Sequence, residues 1–104
     1  MSLRVSITPA ADRDIDDLFG YIAQENLDAA VRFLDALHAA FNRLAEMPEI
    51  GTPQEFENPL LAELRMWPIK GFDRHLIFYR TRPDRVEIVR VLYASRDIEA
   101  LFEE

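Results

Sequence analysis

The amino-acid sequence predicts an α+β domain: an N-terminal strand, an α-helical hairpin packed on a mostly antiparallel sheet of three to four strands, and a short C-terminal helix. Three observations carry this prediction. Residues 3–8 alternate apolar Leu3, Val5 and Ile7 with polar Arg4, Ser6 and Thr8, the period of a half-buried strand. Residues 9–46 then carry apolar side chains at three- and four-residue intervals, the period of a helix. Residues 74–102 hold two apolar runs, 76–79 and 86–93, on either side of a Pro83-Asp84 turn, with a helical pattern after them.

Each element follows from local chemistry. Thr8 is a helix cap, and Pro9 suits a first helical position because its missing N–H would be unpaired there. The first helix places Ala11, Ile15, Leu18, Phe19 and Ile22 on one face, while Asp12, Asp14, Asp16 and Asp17 crowd its opening turns as an exposed acidic face. Gln24, Glu25 and Asn26 end it, and Asn26 or Asp28 caps the next. The second helix, about Leu27–Glu46, carries Leu27, Ala30, Leu34, Leu37, Phe41 and Leu44 on one line and Ala29, Phe33, Ala36 and Ala40 on an adjoining one. This is more apolar surface than one sheet face needs, a sign of a partner or of an internal layer. Pro48, Gly51, Pro53 and Pro59 mark a surface loop. Extended alternation resumes to Ile69, with Leu64, Met66 and Pro68 opposite Arg65, Trp67 and Ile69. Pro68 cannot donate to a ladder, which points to a strand end or a sheet edge. Residues 70–73 form the turn into Arg74. After the last strand, Ser95 is positioned to cap a helix containing Ile98, Leu101 and Phe102.

Bulk properties bound the function. A chain of 104 residues suits one domain, residues 1–104, burying roughly 60–65% of its unfolded surface. Cysteine is absent, so there is no disulfide framework and no thiolate metal site. No apolar run reaches the length of a membrane span, and the first residues lack the apolar stretch of a signal peptide, so a cytoplasmic location is expected. The net charge of −7 is uneven: residues 1–63 hold 4 basic and 12 acidic side chains, residues 64–104 hold 8 and 7. Lys70 is the only lysine. Such a chain is a poor binder of nucleic acid in general, because phosphate binding draws on counterion release to a basic surface. No direct sequence-specific nucleic-acid binding is expected. A local arginine face remains able to hold something acidic.

Five segments in order, SITPAADRDIDDLFGYIA, NLDAAVRFLDALHAAFNRLAEMPEIG, LRMWPI, HLIFYR and VEIVRVLYASRDIEALF, give nearly the whole chain a pattern that resembles the ParE toxins of the RelE/ParE superfamily, also called plasmid stabilisation proteins. The resemblance implies the toxin half of a type II toxin–antitoxin system. Its partner would be a ParD-like antitoxin with a DNA-binding ribbon-helix-helix N-terminus and a disordered tail that folds along the toxin. The resemblance further implies a target: DNA gyrase for ParE-type members, messenger RNA on the ribosome for RelE-type members.

Metal-free cleavage of RNA at a 2′-hydroxyl needs a general base, a general acid and cations around the phosphate. RelE-like nucleases are similar to this chain in an arginine after the last strand, here Arg96, and one entering the preceding hairpin, here Arg74. They also use several lysines and a late tyrosine or histidine. This chain offers one lysine, Phe102 in the final helix, and only His38 and His75 as histidines, so the acid–base set looks incomplete. No catalytic residue, cofactor or metal is expected. The expected action is binding, with Arg65, Trp67, Arg74, Arg80, Arg90, Arg96 and Asp97 meeting antitoxin or target. A RelE-like ribosome-dependent endoribonuclease, or a decayed toxin that retains only antitoxin binding, is the alternative. A homodimer or a toxin–antitoxin hetero-oligomer suits the apolar hairpin.

Plainer roles stand beside these. Arg96 and Asp97 can simply cap the corner. Arg90 alternates with Ile88 and Leu92, and on an apolar face it must find a carboxylate or carbonyl. Trp67 can be a core or rim anchor, Tyr79 and Tyr93 packing residues with a bonded hydroxyl, and His38 a solvated helix residue.

Overall fold

Thr8 decides where the chain changes direction. The structure is a computed structural model that describes residues 2–94 and 97–102. Strand β1 (Arg4–Ile7) stops at Thr8, whose hydroxyl accepts from the Ala11 N–H at 3.0 Å and donates to the Val89 carbonyl at 2.8 Å. One side chain thus caps α1 (Pro9–Glu25) and ties its start to the sheet. Asn26 serves two helices. Its N–H donates to the Ile22 carbonyl, closing α1, and its side chain accepts from Ala29 N–H, opening α2 (Leu27–Glu46). A single residue between the helices forces the hairpin that the sequence predicts. Ala30, Phe33, Leu37, Ala40, Phe41, Leu44 and Ala45 form the buried face of α2. Leu27, expected on that face, is 61% exposed because the first turn stands at the tip of the hairpin.

The sheet adds β2 (Thr52–Pro53), β3 (Arg65–Ile69), β4 (Phe72–Thr81) and β5 (Arg85–Tyr93), in the order β1-β5-β4-β3-β2. Strand β1 runs parallel to β5, and the remaining pairs are antiparallel. Five strands exceed the expected three to four. The addition is β2, whose two residues pair with Met66 and Arg65 inside a stretch that reads as loop. Side chains elsewhere hold that stretch down, which local sequence does not reveal. The turn between β3 and β4 is also shorter than expected. Gly71, at φ +84°, takes the left-handed conformation that suits glycine, so Phe72 and Asp73 already belong to β4. The Pro83-Asp84 turn forms as predicted, closed by Arg82 N–H donating to the Arg85 carbonyl at 2.8 Å.

The main core lies between the helices and one sheet face, where Ile69, Ile77, Tyr79, Val86, Ile88 and Val91 meet Ala11, Phe33, Leu37, Phe41 and Leu44. Each large side chain buried there contributes roughly 1.5–3 kcal/mol. Ile88 and Val91 both reach this core although three positions apart. A bulge makes that possible: Phe78 pairs with Arg90 and Tyr79 with Ile88, leaving Val89 as the extra residue. The opposite face carries Phe78, packed on Phe56 and Phe102 with ring centroids 6.3 and 5.1 Å away. Helix α3 (Ile98–Leu101) covers this side, and its Glu99 carboxylate accepts from the N–H groups of Glu57 and Asn58 at 3.1 and 3.3 Å. The N-cap of α3 is Asp97, accepting from Ala100 N–H at 3.2 Å, so the helix starts later than a Ser95 cap implies. Ser95 itself lies outside the described residues.

Candidate functional site

Three arginines, Arg65 of β3, Arg80 of β4 and Arg90 of β5, bond to distant parts of the chain. Arg65 donates from Nη1 to the carbonyls of Gly51 at 2.8 Å and Glu49 at 3.1 Å. Arg80 donates from Nη2 to the Leu60 carbonyl at 3.0 Å, and its buried Nε meets no acceptor among the described residues. Arg90 finds both a carboxylate and a carbonyl. Its Nε and Nη2 donate to Asp14 Oδ2 and Oδ1 at 2.7 and 2.9 Å, and Nη1 donates to the Leu101 carbonyl at 3.1 Å. The guanidinium also lies 6.0 Å from the centre of the Phe102 ring. Asp14 accepts in addition from Val91 N–H at 3.1 Å. Both side chains are about one-eighth exposed (12% and 13%), so this fork is largely dry and strong.

The remaining expected residues divide differently. Arg74 is exposed, its guanidinium 5.4 Å over the Tyr93 ring. Trp67 is half-buried against the core. Asp97 caps α3, and Arg96 lies outside the described residues. The six that lie among the described residues do not converge on one point. Asp14 escaped the sequence reading because it sits in an acidic run. The signal was helical spacing: it is three residues after Ala11 and four before Leu18, on the margin of the inner face rather than opposite it.

Tyr79 explains the loop. Its fully buried hydroxyl donates to the Pro48 carbonyl and accepts from Gly51 N–H, both at 2.8 Å. A Cβ on Gly51 would lie 2.7 Å from Tyr79 Cε1, so the glycine is required by close approach. Burial raises the phenol pKa, with the Gly51 N–H and the Arg65 charge opposing the shift. A neutral, doubly bonded hydroxyl is an anchor and a poor acid–base group. His75 packs among Phe33, Phe72 and Tyr93, with ring centroids 5.3, 5.9 and 5.1 Å away. Burial lowers its pKa, partly offset by the Phe72 carbonyl, so the ring is neutral at neutral pH. His38, by contrast, is exposed, as its mid-helix position implied.

Two clefts flank the helical hairpin. One, of about 450 Å³, runs between α1 and the strands, lined by Leu18, Tyr21, Ile22, His75 and Tyr93. The other, of about 470 Å³, lies between α2 and β3, lined by Ala36, Ala39, Ala40, Arg43, Trp67 and Lys70. Trp67 thus belongs to one cleft, and Arg74, through Tyr93, borders the other. Among the described residues no three of His, Asp and Glu are placed to hold a metal ion, and no helix is long and apolar enough to cross a membrane. The arrangement offers surfaces for binding.

A family model described as ParE toxin of type II toxin-antitoxin system, parDE, matches residues 5–98. Among solved structures, the chromosomal ParDE toxin–antitoxin system from P. aeruginosa is similar at TM-score 0.70 and 15% identity, covering 90% of this chain and 98% of that one. The YoeB dimer from Staphylococcus aureus is similar at TM-score 0.52 and 18% identity, covering 91% of this chain and 100% of that one. At these identities the likeness is one of fold. No curated protein sequence matches the chain significantly.

Proposed function

The chain belongs to the ParE toxin family of type II toxin–antitoxin systems, and from that premise we propose that it arrests growth by binding DNA gyrase and is neutralised by a ParD-like antitoxin. The observation that carries this reading is the family match across residues 5–98. The internal bonding of the sheet supports it: Arg65, Arg80 and Arg90 are committed to carbonyls and to Asp14, and the Tyr79 hydroxyl is held by two bonds. Groups so engaged are poorly placed to move protons on a substrate.

A protein that only binds can still poison an enzyme. By holding the state of gyrase in which DNA is cleaved more tightly than the resealed state, it shifts the balance between them by its difference in affinity. Arg74 and Trp67 are the direct partner contacts in this reading. Arg65, Arg80, Arg90 and Asp97 hold the shape of the surface, and Arg96, outside the described residues, joins the contact set in this proposal. The action takes place in the cytoplasm, where both gyrase and the antitoxin are made.

The deciding measurement is gyrase supercoiling with and without the purified protein, alongside growth after induction without antitoxin. Loss of supercoiling with accumulating DNA breaks is the expected result. Codon-specific cuts in ribosome-bound messenger RNA with gyrase untouched would replace this reading by a RelE-like ribonuclease. Normal growth with retained antitoxin binding would mean a decayed toxin.

A further inference from the structure

We propose that the cleft between α1 and the strands is a binding site for a small aromatic carboxylate. Its planar ring is held among Tyr21, Tyr93 and His75, and its acid group lies on Arg74. Three observations select this ligand.

The first is the chemistry of the walls. Leu18 and Ile22 stand one helical turn apart on α1, and His75 and Tyr93 are cross-strand partners on β4 and β5. An occupant therefore meets aliphatic side chains on one side and two rings on the other. Tyr21 and Tyr93 are 74% and 50% exposed, so both rings lack the cover that Tyr79 has. The His75 and Tyr93 rings already meet edge to face, 5.1 Å apart at 76°, and a third ring extends that contact. The volume, about 450 Å³, lies within the range of small-ligand pockets.

The second is charge. The Arg74 guanidinium lies over the Tyr93 ring, 5.4 Å from its centre, and makes no hydrogen bond or ion pair with a described residue. Arg65, Arg80, Arg82, Arg85 and Arg90, by contrast, are all engaged by carbonyls or carboxylates of the protein. A free guanidinium beside a ring matches a carboxylate carried on a ring, because its planar fork can make two parallel bonds.

The third is the imidazole. His75 Nδ1 is shut away from solvent and has no hydrogen-bond partner among the described residues, so Nε2 is the nitrogen that the cleft can reach. Burial keeps the ring neutral, and a neutral imidazole can exchange one such bond with a polar atom of the ligand. A few polar groups in a mostly apolar concavity form the usual pattern of a small-molecule site.

The probe is indole-3-acetate, with two controls. Indole-3-acetamide keeps the shape without the charge, and cyclohexaneacetate keeps the charge without the flat ring. Binding is read from the imidazole nitrogen signals by NMR, and His38, the other histidine and exposed, is the internal control. The expected result is a saturable shift of His75 alone, with a dissociation constant on the order of 1 mM or tighter. The amide should bind roughly three- to fivefold more weakly, and Arg74→Gln should lose the same factor for the acid and nothing for the amide. Tyr21→Ser should weaken both indole probes alike. Arg74 and Tyr21 are exposed, so both variants should keep the parent's thermal midpoint, which circular dichroism checks. Acid and amide binding alike, a saturated ring binding as well as the aromatic one, or His38 moving in step with His75 would overturn the proposal. So would self-association that hides Tyr21 and excludes the probe, since the cleft would then belong to a second copy. None of these readings involves gyrase, so this site and the target proposed above stand or fall separately.

Discussion

Tyr79 shows how one hydroxyl can position a loop. Replacing it by phenylalanine keeps the ring in the core but removes the donor to Pro48 and orphans the Gly51 N–H in a buried place. Tyr79→Phe should therefore lower stability by roughly 1–3 kcal/mol in urea unfolding. The loop carrying β2 should lose hydrogen-exchange protection first, before the core strands do. His75 makes a prediction in pH. Its folded pKa lies below the 6.5 of the unfolded chain, so the unfolded state binds the proton more readily. The stabilisation tied to its neutral ring is complete above that value and is lost as pH falls through it toward the folded pKa. His75→Phe should flatten the decline of unfolding free energy between about pH 7 and pH 5, compared with the parent protein under the same conditions. An unchanged slope would mean that the ring titrates alike in the folded and unfolded states.

At the scale of elements, boundaries are set by caps more than by propensity. Asn26 closes one helix and opens another with a single residue, so the angle of the hairpin depends on it. Asn26→Ala retains the backbone bond to Ile22 and loses the bond to Ala29. It should cost about 1 kcal/mol, a shift of roughly 4–8 °C in a thermal melt for a domain of this size. Legibility in the sequence followed the same division. Thr8, Asn26 and Pro83-Asp84 act on neighbours a few residues away, and their elements stand where the pattern predicts. Strand β2 and the start of α3 do not. Residues 52–53 become a strand because Arg65 and Tyr79, far along the chain, pin the backbone just before them. The α3 boundary moved to Asp97 because Glu99 must reach the Glu57 and Asn58 N–H groups.

At the scale of the molecule, the Asp14–Arg90 fork joins α1 to β5 and, through the Leu101 carbonyl, to α3. Removing one member of a largely buried pair leaves the other charge without its partner. Asp14→Asn should cost about 3 kcal/mol, and the equilibrium unfolding midpoint measures it. Arg90→Leu should be milder than Asp14→Asn, because it removes the buried cation and leaves the carboxylate nearer to water and to the Val91 N–H. Equal losses would show that the pair acts through packing alone. The charge split of the sequence also takes on meaning here. The arginines of the second half look available for partners in a linear reading. In three dimensions most of them satisfy carbonyls and carboxylates of the protein itself, and the unpaired cations Arg43 and Lys70 border an alanine-floored cleft.

By itself, the sequence determined what depends on neighbours: the periods of strand and helix, the capping of the hairpin, the tight turn between the last two strands, and the family to which the ordered segments belong. Only the tertiary structure decided which charges remain available, because a guanidinium is indifferent to sequence distance and bonds whatever acceptor the fold brings within reach. Asp14 and Arg90 are 76 positions apart, and no local pattern makes them partners.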